Sequence, residues 1–143
     1  NPITQAQKAG LDFFKPQKPN TIAKSLAIGT PADGFYALRV MKETGGASDD
    51  VTDDEIREGI RLLAECEGIF SETAGGVTVG VAKKLIAAGK IASDSSAVLC
   101  ITGNGLKTLD AVVGHVGQPR DIKPSLREFE SLLARENPEL VTA

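Results

Sequence analysis

The pattern of apolar and polar positions along the chain predicts helices that alternate with a few short strands. Apolar residues recur at three- and four-residue spacing in several segments, which is the periodicity of a helix with one buried face. Glycines or prolines interrupt the pattern between these segments. Helices are predicted over 21–29, 32–44, 74–90 and 123–136, and the clearest one lies within 51–70.

The helix within 51–70 carries start, face and stop signals together. Thr52 and Glu55 have the spacing of a capping box, and three acidic residues crowd the positive end of the helix dipole. Gly68 suits the left-handed position just past the last turn. One apolar stripe faces the predicted core and consists of Ile56, Ile60, Leu63 and Ala64.

Two short apolar segments, 68–72 and 95–102, are predicted to be buried strands. Strands that alternate with helices indicate an α/β fold with a mostly parallel sheet. Ligands of such sheets bind outside the carboxyl ends of the strands. Glu72 and Thr102 occupy those ends, so we expect both side chains to face one crevice if the two strands are neighbours.

Two glycine pairs in these turns have alternative interpretations. Gly75 and Gly76 open a helix, where free backbone N–H groups can bind a phosphate. Glu72 would repel that phosphate, and the pattern matches no phosphate-loop motif, so close helix–sheet packing is the favoured interpretation. On spacing alone, Gly103-Asn104-Gly105 is a turn that ends the second strand.

Composition excludes several functional classes. The 143 residues include 41% hydrophobic and 24% charged positions with a net charge of −3, which is typical of an ordered domain without the basic surface of a nucleic-acid binder. No apolar run approaches the roughly 18 residues of a membrane helix. Cys66 and Cys100 lie in apolar segments and are predicted to be buried thiols in a reducing cytoplasm.

Three segments, taken in order, resemble the C-terminal part of the threonine synthase family. They are TIAKSLAIGTPADG (21–34), VTDDEIREGIRLLAECEGIFSETAGG (51–76) and VLCITGNGLK (98–107). The family consists of pyridoxal-phosphate enzymes built like the tryptophan synthase β chain. The resemblance implies part of a three-layer sandwich, with a mostly parallel sheet flanked by helices. It also implies an enzyme that converts O-phosphohomoserine and water to threonine and phosphate.

The resemblance also implies cofactor-binding residues in this chain. Thr102 would place a neutral hydroxyl opposite the pyridine nitrogen of pyridoxal phosphate, and Gly103 and Gly105 would let the backbone approach the ring edge. Asn104, between these glycines, is also implied to be a cofactor-binding residue. Glu72 would lie near that edge, and Lys107 is interpreted as structural. Two departures concern other positions. Where the family usually has Glu-Pro-Ala-Ser, this chain has ETAG. The family usually has an acidic residue directly after Gly-Leu-Lys, and this chain has Thr108 there.

The family's Schiff-base lysine and phosphate-binding loop would lie upstream of residue 1, so we expect no catalytic residue in this chain and no activity from it alone. Residues 1–143 would be one partial domain, with 1–115 from the cofactor domain and 116–143 a helical tail. Lys24, Lys83 and Lys84 are predicted to be exposed and are poor candidates for covalent attachment. The chain is expected to form homo-oligomers without nucleic-acid or membrane partners, and its parent enzyme is expected to act on a small amino-acid substrate. A dehydratase or other β-replacement parent, or a non-catalytic module, remains an alternative.

Overall fold

The computed structural model describes residues 1–136 as a set of helices joined by extended segments. Five α-helices follow one another along the chain: α1 (Pro2–Lys8), α2 (Gly34–Thr44), α3 (Asp53–Glu67), α4 (Thr73–Ala87) and α5 (Leu126–Glu136). Two 3-10 helices, Lys24–Leu26 and Gly105–Ala111, lie between them. Residues 137–143 of the predicted helical tail lie outside the described residues.

The predicted α/β fold with a mostly parallel sheet is wrong for this structure. Among residues 1–136 the strand pairing is a single antiparallel bridge between Ser71 and Asn104. The predicted strand 95–102 forms neither a helix nor a strand and is mostly exposed, and Val98 is 90% accessible to solvent. A strand needs a neighbour for its N–H and C=O groups, and the segments around this one are helical instead. The three-layer sandwich implied by the resemblance is therefore not formed by the described residues.

The predicted helix within 51–70 is confirmed as α3. Thr52 accepts a hydrogen bond from the Glu55 N–H at 3.3 Å, and the Glu55 carboxylate accepts one from the Thr52 N–H at 2.7 Å. Both halves of the capping box are therefore formed. The helix ends at Gly68, whose φ of +66° is the left-handed conformation that a glycine adopts without strain.

The core lies where α3 packs against α4. Ile56 and Ile60 of α3 are buried together with Ala23 and Val112 from the flanking segments. Leu63 of the predicted stripe is also buried, while the adjacent Ala64 is half-buried. The apolar periodicity of α3 therefore identified the face that packs, because burial of that face is the main favourable contribution to helix docking.

The other helix predictions are confirmed with shifted bounds, except for 21–29. In that segment the Asp53 carboxylate of α3 accepts hydrogen bonds from the Thr21 hydroxyl and the Ile22 N–H, each at 3.0 Å. These bonds hold the chain against α3, and only Lys24–Leu26 turns as a 3-10 helix. The short helix α1 was not predicted, although Asn1 caps it and proline follows at its first turn.

The prediction for the two cysteines is wrong. Cys66 and Cys100 are both exposed, because Cys66 lies on the outer side of α3 and Cys100 belongs to the uncovered segment 95–102. Tyr36 and Val40, which lie one turn apart on α2, are also exposed, while Leu38 is the buried side chain of that helix. Among the described residues, no helix has the length and apolar character needed to cross a membrane.

Candidate functional site

The ends of the two predicted strands meet, but they run in opposite directions. The Glu72 N–H donates to the Gly103 carbonyl at 3.0 Å, and the Gly105 N–H donates to the Phe70 carbonyl at 2.9 Å. These bonds bring Glu72 beside residues 102–105, which we call the 102–105 turn. Thr102 is exposed at the start of this turn. The structure therefore brings together the four residues that the sequence analysis selected.

Glu72 contacts the turn with its side chain as well as its backbone. A Cβ atom built on Gly103 would lie 1.9 Å from Oε1 and 2.1 Å from Cδ of Glu72. The carboxylate thus occupies the space that a side chain at position 103 would need. Glycine at this position lets the Glu72 carboxylate lie directly on the turn, and its negative charge stays within a few ångströms of the Thr102 backbone.

Lys107 pairs with this carboxylate, and the pair is asymmetric in its burial. Lys107 Nζ lies 2.9 Å from Glu72 Oε2, and the side chains are 64% and 8% exposed, respectively. Among the ion pairs of the described residues, this one has the most deeply buried carboxylate. Lys107 was expected to be structural, but its partner lies 35 positions earlier in the chain, and no local pattern connects the two.

Asn104 uses its side chain within the turn. Its Oδ1 accepts a hydrogen bond from the Leu106 N–H at 2.9 Å and so caps the 3-10 helix Gly105–Ala111. A Cβ on Gly105 would lie 2.6 Å from ring atoms of Phe70, so the turn passes directly over that ring. Asn104 therefore fixes the exit of the turn rather than presenting a free amide oxygen.

The start of α4 is capped by a residue from the 3-10 helix. Thr108 Oγ1 accepts a hydrogen bond from the Thr73 N–H at 3.2 Å. The hydroxyls of Ser71 and Thr73 are buried and have no partner among the described residues. A Cβ on Gly75 would lie 2.6 Å from both Cβ and Oγ of Ser71. The Ser71 side chain therefore occupies the space of the serine that the resembling family usually has at position 75.

Gly76 does not form a phosphate cradle. A Cβ on Gly76 would lie 2.4 Å from the Ile56 carbonyl oxygen and 2.8 Å from Cγ1 of Ile60. This face of the α4 start is thus covered by α3, and no ligand can reach it. The packing interpretation of the glycines is supported, but the partner is a helix rather than the predicted sheet.

The three lysines considered for covalent attachment are all engaged in ion pairs. Lys24 and Lys83 are exposed and pair with surface carboxylates, as expected. The Lys84 side chain is less exposed than predicted, at 34%, and donates to the Glu55 carboxylate at 2.9 Å. None of the three is adjacent in sequence to the 102–105 turn.

The site lies outside the main cavities. An open pocket of about 570 Å³ is lined by α1, the 17–31 loop and the start of α3, and another of about 480 Å³ lies between α3 and residues 112–116. Glu72, Thr102, Gly103 and Asn104 line neither of them. The exposed side of the 102–105 turn is therefore an open surface that a planar ring could approach.

The residues of this surface fit the pyridine edge of pyridoxal phosphate. Thr102 supplies an exposed neutral hydroxyl, and a ring could approach Gly103 only on the side that the Glu72 carboxylate leaves free. Glu72 is close by, but Lys107 neutralises it. The buried hydroxyl of Ser71 and the capping role of Thr108 were missed by the sequence analysis, because a single hydroxyl in a polar turn gives no specific signal.

Comparison with known proteins gives a consistent family assignment. The family described as "Pyridoxal-phosphate dependent enzyme" matches residues 1–103. The threonine synthase of Halalkalibacterium halodurans is 37% identical over 110 residues, which cover 77% of this chain and 30% of the relative. The threonine synthase of Methanocaldococcus jannaschii is 36% identical over 133 residues, which cover 92% of this chain and 33% of the relative.

A third relative, the threonine synthase of Methanosarcina acetivorans, is 35% identical over 119 residues, covering 82% of this chain and 29% of the relative. The chain thus spans about a third of the length of the relatives that it matches. The matched region includes Glu72 and the first residues of the 102–105 turn. The chain belongs to the pyridoxal-phosphate dependent enzyme family.

Proposed function

We propose that this chain is the C-terminal portion of a threonine synthase, a lyase that converts O-phosphohomoserine and water to threonine and phosphate. The observation that carries the proposal is the exposed Thr102 hydroxyl, held beside Glu72 by the hydrogen bond from the Glu72 N–H to the Gly103 carbonyl. The threonine synthases among its relatives support the same assignment. The amino-acid substrate follows from this proposal.

In the proposed enzyme, Thr102 would hold the pyridine nitrogen of the cofactor through its hydroxyl. Pyridoxal phosphate supplies an electron sink for carbanions at the substrate. A hydroxyl can donate a hydrogen bond to the unprotonated nitrogen, whereas a carboxylate in the same place would favour the protonated ring. Thr102 therefore moderates the sink, and Gly103 allows the backbone to approach the ring edge.

The chain supplies only one side of the proposed site. The lysine that attaches the cofactor and the loop that binds its phosphate would come from the remaining two thirds of the parent polypeptide, as the coverage of the relatives suggests. We therefore expect the 143-residue chain alone to form no threonine. Pyridoxal phosphate added to the chain should form no imine with any of its lysines. A visible absorption band that disappears when one of these lysines is substituted would contradict this expectation.

The test uses the natural gene product that contains this chain. Thr102→Val should lower threonine formation from O-phosphohomoserine by about 2- to 10-fold, because one hydrogen bond to the neutral pyridine nitrogen, about 0.5–1.5 kcal/mol, is lost. Thr102→Ser keeps the hydroxyl and is the matched control, with activity close to that of the natural enzyme. Equal activity in Thr102→Val and Thr102→Ser would contradict the assigned role of Thr102.

A second candidate is a serine or threonine dehydratase, or another β-replacement enzyme of the same family. It is favoured by the altered start of α4, where Ser71 rather than residue 75 supplies the buried hydroxyl. Assays of the same gene product with serine, threonine and O-phosphohomoserine separate the two candidates. Preferred turnover of serine or threonine would replace the threonine synthase proposal with the dehydratase proposal.

We also propose that the chain self-associates and acts in the cytoplasm. Val98 and Leu99 are exposed next to each other in the non-helical segment 95–102, and exposed apolar surface of this kind promotes association. Light scattering of the 143-residue chain at micromolar concentration tests this, and a sharp monomer peak would contradict it. A non-catalytic module is the remaining alternative, and it requires a natural reading frame that begins with a Met codon directly before Asn1.

A further inference from the structure

The Glu72 carboxylate is nearly buried, and its charge is paired with the ammonium group of the exposed Lys107. A buried ionised group is costly unless a partner of opposite charge and hydrogen bonds compensate it. Lys107 meets this need because its long stem reaches inward while much of the side chain stays in solvent. The pair therefore differs from the exposed pairs of this chain, such as Lys83–Glu58, where both partners are hydrated.

The carboxylate and the turn cannot move independently. Glu72 contacts Gly103 twice, through the N–H that bonds to the Gly103 carbonyl and through Oε1, which fills the space of a Cβ on Gly103. Lys107 belongs to the 3-10 helix that follows the turn, and its N–H donates to the Asn104 carbonyl at 3.2 Å. Gly103 and Lys107, at the two ends of this segment, are therefore both held against Glu72.

We propose that Lys107 is a positioning residue that holds the Glu72 carboxylate against Gly103 and so fixes the 102–105 turn. Without the ammonium group, the carboxylate moves toward solvent, and the backbone contact between Glu72 and Gly103 loosens. Thr102 directly precedes this contact, so the position of its hydroxyl depends on the same pair. The effect on the cofactor rests on the proposed function, whereas the effect on the turn does not.

The test on the turn uses the 143-residue chain and amide hydrogen exchange followed by NMR. Lys107→Met should increase the exchange rates of the Glu72 and Gly105 amides, which bond across the contact, by about tenfold. The amide of Ile60, inside α3, should not change. Lys107→Arg keeps the positive charge, so the exchange rates of both amides should stay within about threefold of those of the natural chain. Lys83→Met, at an exposed pair, is the matched control and should change neither rate.

A double variant separates loss of the pair from general loss of structure. Glu72→Gln combined with Lys107→Met leaves no unpaired charge, so both amides should exchange more slowly than in Lys107→Met alone. Should Lys107→Met prove unfolded, the same comparison is made between Lys107→Arg and Lys107→Gln. Unchanged exchange of both amides in the substituted folded chain would overturn the positioning role.

The effect on the cofactor is measured on the gene product that contains this chain. Lys107→Met should lower kcat more than it changes KM and should shift the visible absorption band of the bound cofactor, while Lys107→Arg restores both. If the two amides exchange faster but the band and kcat stay the same, the positioning role stands and the placement of the cofactor at Thr102 fails. If exchange is unchanged, the positioning role fails whatever the activity shows.

Discussion

Gly59 of α3 and Gly76 of α4 lie face to face, and a Cβ atom on Gly59 would come within 2.5 Å of the Gly76 carbonyl oxygen. A Cβ on Gly76 would likewise lie 2.4 Å from the Ile56 carbonyl oxygen. Two helices can approach this closely only where neither carries a side chain. The contact holds the start of α4, and therefore Glu72, in its place relative to the core.

Gly76→Ala tests this contact. Replacing a helical glycine by alanine normally stabilises a helix by about 1 kcal/mol. Here the added methyl group meets backbone atoms, which cannot move aside as a side chain can, and overpacking of this kind costs about 1–3 kcal/mol or more. We expect a net loss of roughly 2 kcal/mol in the free energy of unfolding, measured by urea denaturation followed by circular dichroism.

Gly117→Ala is the control for that substitution, because a Cβ at residue 117 meets nothing within 4 Å. Its free energy of unfolding should stay within about 0.5 kcal/mol of that of the natural chain. A Gly76→Ala chain that is as stable as the natural one, or more stable, would show that α3 and α4 do not pack at this distance.

The capping box of α3 predicts a dependence of stability on pH. In the folded chain the pKa of Glu55 is lowered, first by the hydrogen bond from the Thr52 N–H and then by Lys84. A lowered pKa means that the ionised carboxylate stabilises the fold. This contribution is complete above the ordinary value of 4.5 and is lost as the pH falls through the folded-state pKa.

Glu55→Gln, which removes this charge, is the variant to compare. The urea midpoint of the natural chain should exceed that of the variant at neutral pH, and the difference should shrink as the pH falls below 4.5 and through the lowered folded-state pKa. Thr52→Ala removes the other half of the box and should cost about 1 kcal/mol at neutral pH. A midpoint difference between the natural chain and Glu55→Gln that grows on acidification would contradict the assignment.

The hydrogen bond between Thr108 and the start of α4 can be tested by substitution. Its hydroxyl accepts the Thr73 N–H, so Thr108→Val should leave that donor unpaired and cost about 1 kcal/mol in the free energy of unfolding. Thr108→Asp restores the acidic residue usual in the resembling family and can accept the same N–H. Thermal denaturation should rank Thr108→Asp above Thr108→Val, and the reverse order would show that the cap is unimportant.

The exposure of the two cysteines predicts that both thiols are reactive in the folded chain, whereas the sequence analysis expected them to be buried. Because Cys66 and Cys100 are exposed, both thiols of the folded chain should react with a disulfide reagent without denaturant. Cys66→Ser and Cys100→Ser should each lower the number of reactive thiols from two to one. Reaction of both thiols only after addition of urea would restore the interpretation that they are buried.

The local features of this protein were predictable from its sequence. The start, buried face and end of α3 follow from Thr52, Glu55, Ile56, Ile60 and Gly68, because each signal acts within about one turn of the residues it controls. Glu72 and Thr102 were expected to share a crevice at one edge of a parallel sheet, whereas the structure places Glu72 against Gly103, next to Thr102, through an antiparallel pairing.

Only the tertiary structure decided which groups these elements contact. The sequence alone predicted a parallel sheet, but the segment 95–102 has no strand partner within residues 1–136, and pairing is a property of neighbours rather than of the segment itself. The ion pair of Glu72 with Lys107 and the cap from Thr108 to Thr73 join positions 35 residues apart. Such contacts depend on how the chain packs, and the physical reason is that charge and hydroxyl partners are chosen by distance in space and not along the sequence.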